Sequence, residues 1–205
     1  MHSWYSARSN PFMSYNYTIF EAEVASTFNE QLVFAYLYDR AGDDGERAYL
    51  LSTRIDDTIA TLFRQTMFAE YEDRTHALAE AGETLTVDSL RVEYGKLLRK
   101  YFGPSLVFEE LSDLEGLRIP HFYNAFYVFK YATGISAAKA LSMKVLGGGK
   151  AERDAYFTFL RSGGSRFPIE SLALAGVDMA SPEPVRLACT GFGEDVAKLR
   201  KLLGR

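Results

Sequence analysis

The chain has 205 residues, of which 47% are hydrophobic and 24% are charged, so it can bury a substantial core. Its net charge of −4 and its lack of a basic block argue against a nucleic-acid partner, and no apolar run is long enough to span a membrane. The single cysteine, Cys189, excludes an intrachain disulfide and fits a reducing compartment. We therefore expect a cytoplasmic protein with no membrane partner.

Helical periodicity dominates the sequence, because apolar side chains recur every three or four residues nearly throughout. Thr86 is a predicted N-cap, and glycines at 82, 103 and 147–149 are predicted helix stops. Residues 105–117 predict a short helix and a loop, and no segment alternates like a strand. The predicted fold class is all-α, a multi-helix array and not a bundle of four equal helices. The longer predicted helices span residues 18–39, 46–81, 86–102, 119–146, 151–160, 169–174 and 182–203.

An aromatic segment at 121–131 stands out within the predicted helix 119–146. Helical spacing places Tyr127 and Tyr131 on one face, with Tyr123 one turn earlier and His121 at the start. Several hydroxyls and an imidazole on one stripe suit a site that donates hydrogen bonds to an oxyanion or a peptide backbone. The alternative is an amphipathic core helix whose hydroxyls reach solvent.

Glu23 lies on the same predicted helical stripe as Phe20, Thr27 and Glu30. An acid in a partly apolar setting suits a metal ligand or a general base. A first-turn acid favoured by the helix dipole is an equally good explanation of the spacing alone.

The other acidic and glycine-rich patterns give weaker evidence for a functional site. Asp73 and His76, with Glu70 and Glu72, form one imperfect copy of a di-metal motif, so we predict a solvated charged helix face instead. The run 147–150 lacks the spacing of a phosphate loop, and no H-E-x-x-H motif occurs in the chain.

Several stretches, spread in order over the chain, match one known pattern. They are 17–30 (YTIFEAEVASTFNE), 63–70 (FRQTMFAE), 100–104 (KYFGP), 118–123 (RIPHFY), 127–134, 162–165 (SGGS), 175–179 (AGVDM) and 182–184 (PEP). In these stretches the chain resembles oligoendopeptidase F, a bacterial zinc metallopeptidase of the thimet oligopeptidase superfamily. The match is to the C-terminal half of the catalytic domain and covers nearly the whole chain.

The resemblance implies a role for each candidate residue. Glu23, in the context Glu23-Val-Ala-Ser, matches the third zinc ligand, whereas Glu21 does not. His121, Tyr127 and Tyr131 match the region that binds the substrate backbone and stabilises the tetrahedral oxyanion, and Tyr123 is a weaker candidate for substrate binding. The implied cofactor is one zinc ion per complete active site.

The family's H-E-x-x-H segment would lie immediately before Met1, so residues 1–205 are expected to be a partial peptidase domain. His2 resembles a downstream histidine of the family and is not a ligand. The implied partners are short peptide substrates and the N-terminal half of the same enzyme, and the chain alone is expected to be inactive. The alternative function is a non-catalytic helical module that binds peptides or a partner.

Overall fold

A computed structural model describes residues 1–204. These residues form α-helices joined by turns and short 3₁₀ segments, with no strand among them, which confirms the predicted all-α array. The helices are α1 (His2–Ser9), α2 (Ile19–Arg40), α3 (Asp44–Thr58), α4 (Arg64–Glu80), α5 (Val87–Phe102), α6 (Glu115–Arg118), α7 (Phe129–Gly147), α8 (Lys150–Ser162), α9 (Pro168–Leu174) and α10 (Glu183–Leu202).

The chain divides into two compact units. The first unit contains Met1–Thr58 and Thr133–Arg205, and the second contains Ile59–Ala132. No helix among residues 1–204 combines the length and apolar character needed to cross a bilayer.

The core of the first unit is built from helices whose apolar residues recur at helical spacing. Val24 and Phe28 of α2 are fully buried, as are Leu141 of α7 and Phe159 of α8. The ring of Phe28 lies 4.0 Å from that of Tyr156. Alanines at 137, 138 and 140 are buried in the same cluster, where their small side chains allow close helix packing.

The core of the second unit forms between α4 and α5. Phe68 and Tyr71 of α4 pack against the buried ring of Tyr94 on α5. A Cβ at Gly116 would come within 2.7 Å of that ring, so α6 approaches Tyr94 as closely as only glycine permits. The tyrosine hydroxyl donates to Glu115 at 2.7 Å, so its polar end is satisfied despite its burial.

The predicted helix ends follow from side-chain caps. Thr86 accepts a hydrogen bond from the backbone N–H of Ser89 at 3.1 Å, which confirms it as the N-cap of α5. The backbone N–H of Thr18 donates to Glu21 at 3.0 Å, the acidic half of a capping box at the start of α2. Gly103 ends α5 with a φ of +70°, a conformation that suits glycine.

Two of the predicted long helices are interrupted. The predicted helix 46–81 contains a π-helical turn at Ile59–Phe63, which separates α3 from α4. The prediction of one helix over 119–146 is wrong at its start: Pro120–Tyr123 is a 3₁₀ turn, residues 124–128 are irregular, and α7 begins only at Phe129. Aromatic residues have low helix propensity, and contacts with α4 override the periodic pattern.

The turn after α8 requires glycine because two backbone segments touch there. Gly164 donates from its backbone N–H to the carbonyl of Ser14 at 2.9 Å. A Cβ at this position would lie 2.1 Å from the carbonyl oxygen of Asn16. The turn therefore fixes the segment that joins α1 to α2.

Gly164→Ala should lower the free energy of unfolding by about 1–3 kcal/mol, because the added methyl group forces the two backbones apart. Urea denaturation followed by circular dichroism measures the change. Gly193→Ala is the control: this glycine lies inside α10 with open space around it, so alanine should raise the stability by up to about 1 kcal/mol. A Gly164→Ala protein as stable as the parent would contradict the close approach.

Candidate active-site residues

The second unit brings His121, Tyr127 and Tyr131 into one cluster, hereafter the His–Tyr cluster. The rings of His121 and Tyr127 stack, with centroids 5.6 Å apart and planes 13° from parallel. Tyr131 stands edge-on to both rings, at 5.7 Å from His121 and 5.6 Å from Tyr127. Its hydroxyl lies 3.3 Å from Nε2 of His121, within hydrogen-bonding distance. The Tyr131 hydroxyl and the His121 ring nitrogen are therefore neighbouring polar groups.

The backbone that carries the His–Tyr cluster is not the predicted helix. His121 lies in the 3₁₀ turn, Tyr127 in the irregular segment, and Tyr131 in the first turn of α7. Between them Phe126 adopts a φ of +55°, a left-handed conformation that costs a non-glycine residue about 1–3 kcal/mol. The residues meet through this bend and not through helical periodicity.

Glu72 of α4 holds the bend in place. The backbone N–H of Phe126 donates to Oε1 of Glu72 at 2.6 Å, and the carboxylate is only 4% exposed. One turn further along α4, the ring of His76 packs 4.6 Å from that of Phe126. The prediction of a solvated acidic face on this helix is therefore wrong for Glu72.

The neighbouring acid Glu70 has a different environment. Its carboxylate accepts hydrogen bonds from Lys100, Tyr101 and Arg74. The Lys100 ammonium in particular lowers the pKa of Glu70 to about 2. Glu70 therefore belongs to a surface ion-pair network and not to a metal site.

Tyr123 lies outside the His–Tyr cluster. It occupies the same 3₁₀ turn as His121, but its side chain is 87% exposed. The structure thus separates this weaker candidate from the three residues that meet.

Glu23, the predicted metal ligand, lies half-buried on α2 in the first unit. Its Cβ is 3.4 Å from the position that a Cβ at Gly134 would occupy, so the glycine leaves room for the glutamate. Partial desolvation raises the pKa of Glu30 on the same helix, and the charges of Asp57 and Glu23 raise it further. Glu23 thus lies close enough to Glu30 for its charge to act on that carboxyl.

The residues that the structure describes, 1–204, do not by themselves form a zinc site. Catalytic zinc takes three protein ligands and leaves a position open for water. Within residues 1–204, no three His, Cys, Asp or Glu side chains are grouped so that they could hold a metal ion. Glu23 can supply one carboxylate of such a set.

The sequence does not predict the burial of two charged residues. Lys139 of α7 is 4% exposed and donates to the Thr58 hydroxyl at 2.8 Å; burial, then the charge of Arg54, lowers the pKa of Lys139 to about 8. Glu72 is the other, and its spacing offered a signal, since it lies one helical turn after the core residue Phe68.

His2 packs in the core of the first unit. Its ring stacks on Tyr17, with centroids 3.6 Å apart, and also meets Phe159 at 5.4 Å. Burial, followed by the charge of the terminal amino group, lowers the pKa of His2 to about 4. The environment of His2 is that of a neutral packing residue.

Comparison with known proteins finds related sequences over nearly the whole chain. The model of the family described as peptidase family M3 matches residues 1–190. The sequence is 46% identical over 203 residues to an oligopeptidase of Bacillus subtilis, covering 99% of this chain and 30% of that protein. It is 45% identical over 202 residues to an oligoendopeptidase F homolog of Borreliella burgdorferi, covering 98% of this chain and 34% of that protein.

The fold also matches solved structures. The crystal structure of oligoendopeptidase-F from Enterococcus faecium superposes with a TM-score of 0.84 and 40% identity, covering 90% of this chain and 36% of that one. A crystal structure from Chlamydophila abortus gives a TM-score of 0.91 at 39% identity, covering 98% of this chain and 34% of that one. The chain spans about a third of the length of these relatives.

His2 should make the chain less stable in mild acid. Its folded-state pKa lies below the unfolded value of 6.5, so unfolding takes up a proton between about pH 6.5 and pH 4, and stability falls as pH falls through that window. The loss attributable to His2 should reach about 2 kcal/mol at pH 5 relative to pH 8. His2→Phe keeps an aromatic ring against Tyr17 and should remove that part of the loss in urea titrations. The same pH dependence in His2→Phe and in the parent would show that the pKa of His2 does not differ between the folded and unfolded states, which would contradict the expected burial effect.

Proposed function

The chain belongs to peptidase family M3, and from that membership we propose that it is the C-terminal part of the catalytic domain of a zinc-dependent oligopeptidase. Its substrates would be short peptides. The observation that carries the proposal is the His–Tyr cluster, in which a hydroxyl and an imidazole nitrogen lie 3.3 Å apart. The longer protein that contains such a chain would bind a peptide against this cluster.

We propose that the His–Tyr cluster donates hydrogen bonds to the oxygen of the scissile carbonyl. A tyrosine O–H and an imidazole N–H are both donors, and their separation allows both to reach one substrate oxygen. Donors placed in advance where negative charge develops favour the transition state over the ground state. Tyr127, stacked on His121, holds the imidazole plane. Exposed Tyr123 would contact the peptide away from the reacting bond.

Glu23 is proposed as one zinc ligand. A zinc ion, when bound in a peptidase, would act as a Lewis acid and lower the pKa of a water molecule bound to it. Since residues 1–204 offer no three-ligand group, the other ligands and the general base would come from the N-terminal half of the enzyme. The 205-residue chain alone is therefore expected to bind zinc weakly and to hydrolyse no peptide.

A chimera tests the proposal. The chain would replace the matching segment of the Bacillus subtilis oligopeptidase, to which it is 46% identical over 203 residues. We expect the chimera to cleave a quenched fluorescent peptide in a chelator-sensitive manner, whereas the isolated chain does not. A folded chimera without activity would contradict the proposal. Peptide binding by the isolated chain together with that result would support the non-catalytic module instead.

In the chimera, Glu23→Gln should weaken zinc affinity by more than about tenfold, because a neutral amide is a poorer ligand than a carboxylate. Competition with a chromogenic chelator measures the affinity. Glu30→Gln, on the same helix, is the matched control and should retain zinc. Equal zinc affinity in the Glu23→Gln and parent chimeras would remove Glu23 from the metal site.

Tyr131→Phe in the chimera should lower kcat by roughly 100-fold with a smaller change in KM, since the lost hydroxyl acts mainly in the transition state. Steady-state hydrolysis of the fluorescent peptide separates the two constants. Tyr123→Phe removes a hydroxyl outside the His–Tyr cluster and should leave kcat close to that of the parent. A change in KM alone on Tyr131→Phe would reassign this hydroxyl to substrate binding.

A further inference from the structure

Glu72 lies outside the residues assigned to the reaction, yet it contacts the backbone next to one of them. Its buried carboxylate accepts the Phe126 backbone N–H at 2.6 Å, and Tyr127 is the next residue. A hydrogen bond this short to a carboxylate belongs to the strong, charge-assisted class. Glu72 therefore acts on the His–Tyr cluster through the backbone and not through its own side chain.

Tyr127 is held from both sides along the chain. On one side the Phe126 backbone is bound by Glu72, and on the other the Val128 side chain is fully buried in the core of the second unit. Phe126 itself is 50% exposed, so its ring is not locked in the core. The hydrogen bond from Phe126 to Glu72 thus gives the irregular segment a second anchor beside the one that Val128 provides.

The same helix also anchors the segment that carries His121. The ring of Phe122, the residue after His121, packs 5.7 Å from Phe68 and 5.4 Å from Tyr71 of α4. One face of α4 therefore fixes the neighbours of both His121 and Tyr127. The apolar contacts place Phe122, and the carboxylate places Phe126.

The conformation of Phe126 explains why an acceptor is needed at this point. A φ of +55° is unfavourable for phenylalanine and persists only where the surroundings impose it. Removing the acceptor would leave the partly buried Phe126 N–H without this partner and free the residue to return to a right-handed or extended conformation. A Phe126 in either of these two conformations would rotate Tyr127 away from His121.

We propose that Glu72 is a positioning residue that maintains the stacking of Tyr127 on His121 by holding the Phe126 backbone in its left-handed conformation. This assignment deepens the proposed function and rests on it for its catalytic consequence. Its structural consequence, the ring contact between His121 and Tyr127, can be measured without any activity.

The first test is NMR on the 205-residue chain with labelled histidine and tyrosine rings and labelled amides. Glu72→Met removes the acceptor at similar length, whereas Glu72→Gln keeps an oxygen acceptor without the charge. Asp73→Met and Asp73→Asn make the same changes at the adjacent exposed carboxylate and serve as matched controls. The readouts are nuclear Overhauser contacts between the His121 and Tyr127 rings and hydrogen exchange of the Phe126 amide.

We expect Glu72→Met to lose the His121–Tyr127 contacts while the core contact between Tyr71 and Tyr94 remains. Glu72→Gln should retain the ring contacts with faster exchange at Phe126, and both Asp73 variants should match the parent. Retention of the ring contacts in Glu72→Met would overturn the proposal. If Glu72→Met does not fold, Glu72→Gln decides: His121–Tyr127 ring contacts as strong as in the parent, with a Phe126 amide that exchanges as fast as an unprotected one, would overturn the proposal.

The second test places the variants in the chimera. Glu72→Met should lower kcat by roughly 100-fold, because even a small displacement of a catalytic group slows the reaction strongly. Glu72→Gln should keep most of the kcat of the parent chimera. Recovery with the conservative variant distinguishes positioning from a general loss of stability. If the parent chimera is inactive, the proposed function fails, but the ring contacts in the isolated chain still decide the role of Glu72.

Discussion

The hydrogen bond between Glu72 and the Phe126 backbone is the contact on which the arrangement of the candidate site depends. It fixes a bend that the local sequence does not favour, since Phe126 is left-handed and the surrounding residues read as helix. Without the bend the segment would continue as a helix, and the side chains of His121, Tyr127 and Tyr131 would not lie together. The buried Glu72 on α4 thus holds the bend that brings the donors His121 and Tyr131 together.

The regular parts of the fold could be predicted from sequence because they are determined locally. Thr86 is predicted as an N-cap from its position before an apolar stripe, and in the structure its hydroxyl accepts a hydrogen bond from the Ser89 N–H. Gly103 was recognised as a helix stop and has the positive φ that such a stop uses. The all-α class followed from the same periodic pattern.

The bend could not be predicted in this way, because its cause lies 54 residues away in sequence. Periodicity over 119–146 predicts one helix, whereas in the structure the segment that contacts α4 is irregular and the helix begins at Phe129. The acidic run near residue 72 was likewise read as a solvated face, although Glu72 follows Phe68 by one turn on the buried side. The structure does bring the rings of His121, Tyr127 and Tyr131 together, although on a bent segment and not on the predicted helical face.

Membership of peptidase family M3 and the His–Tyr cluster together support a role on the oxyanion side of a peptidase site. The most direct test is a crystal structure of the active chimera with a phosphinic peptide, whose phosphinyl oxygens imitate the tetrahedral intermediate. We expect one of these oxygens within hydrogen-bonding distance of the Tyr131 hydroxyl or of His121 Nε2. A phosphinic peptide bound with its phosphinyl group away from both residues would contradict it.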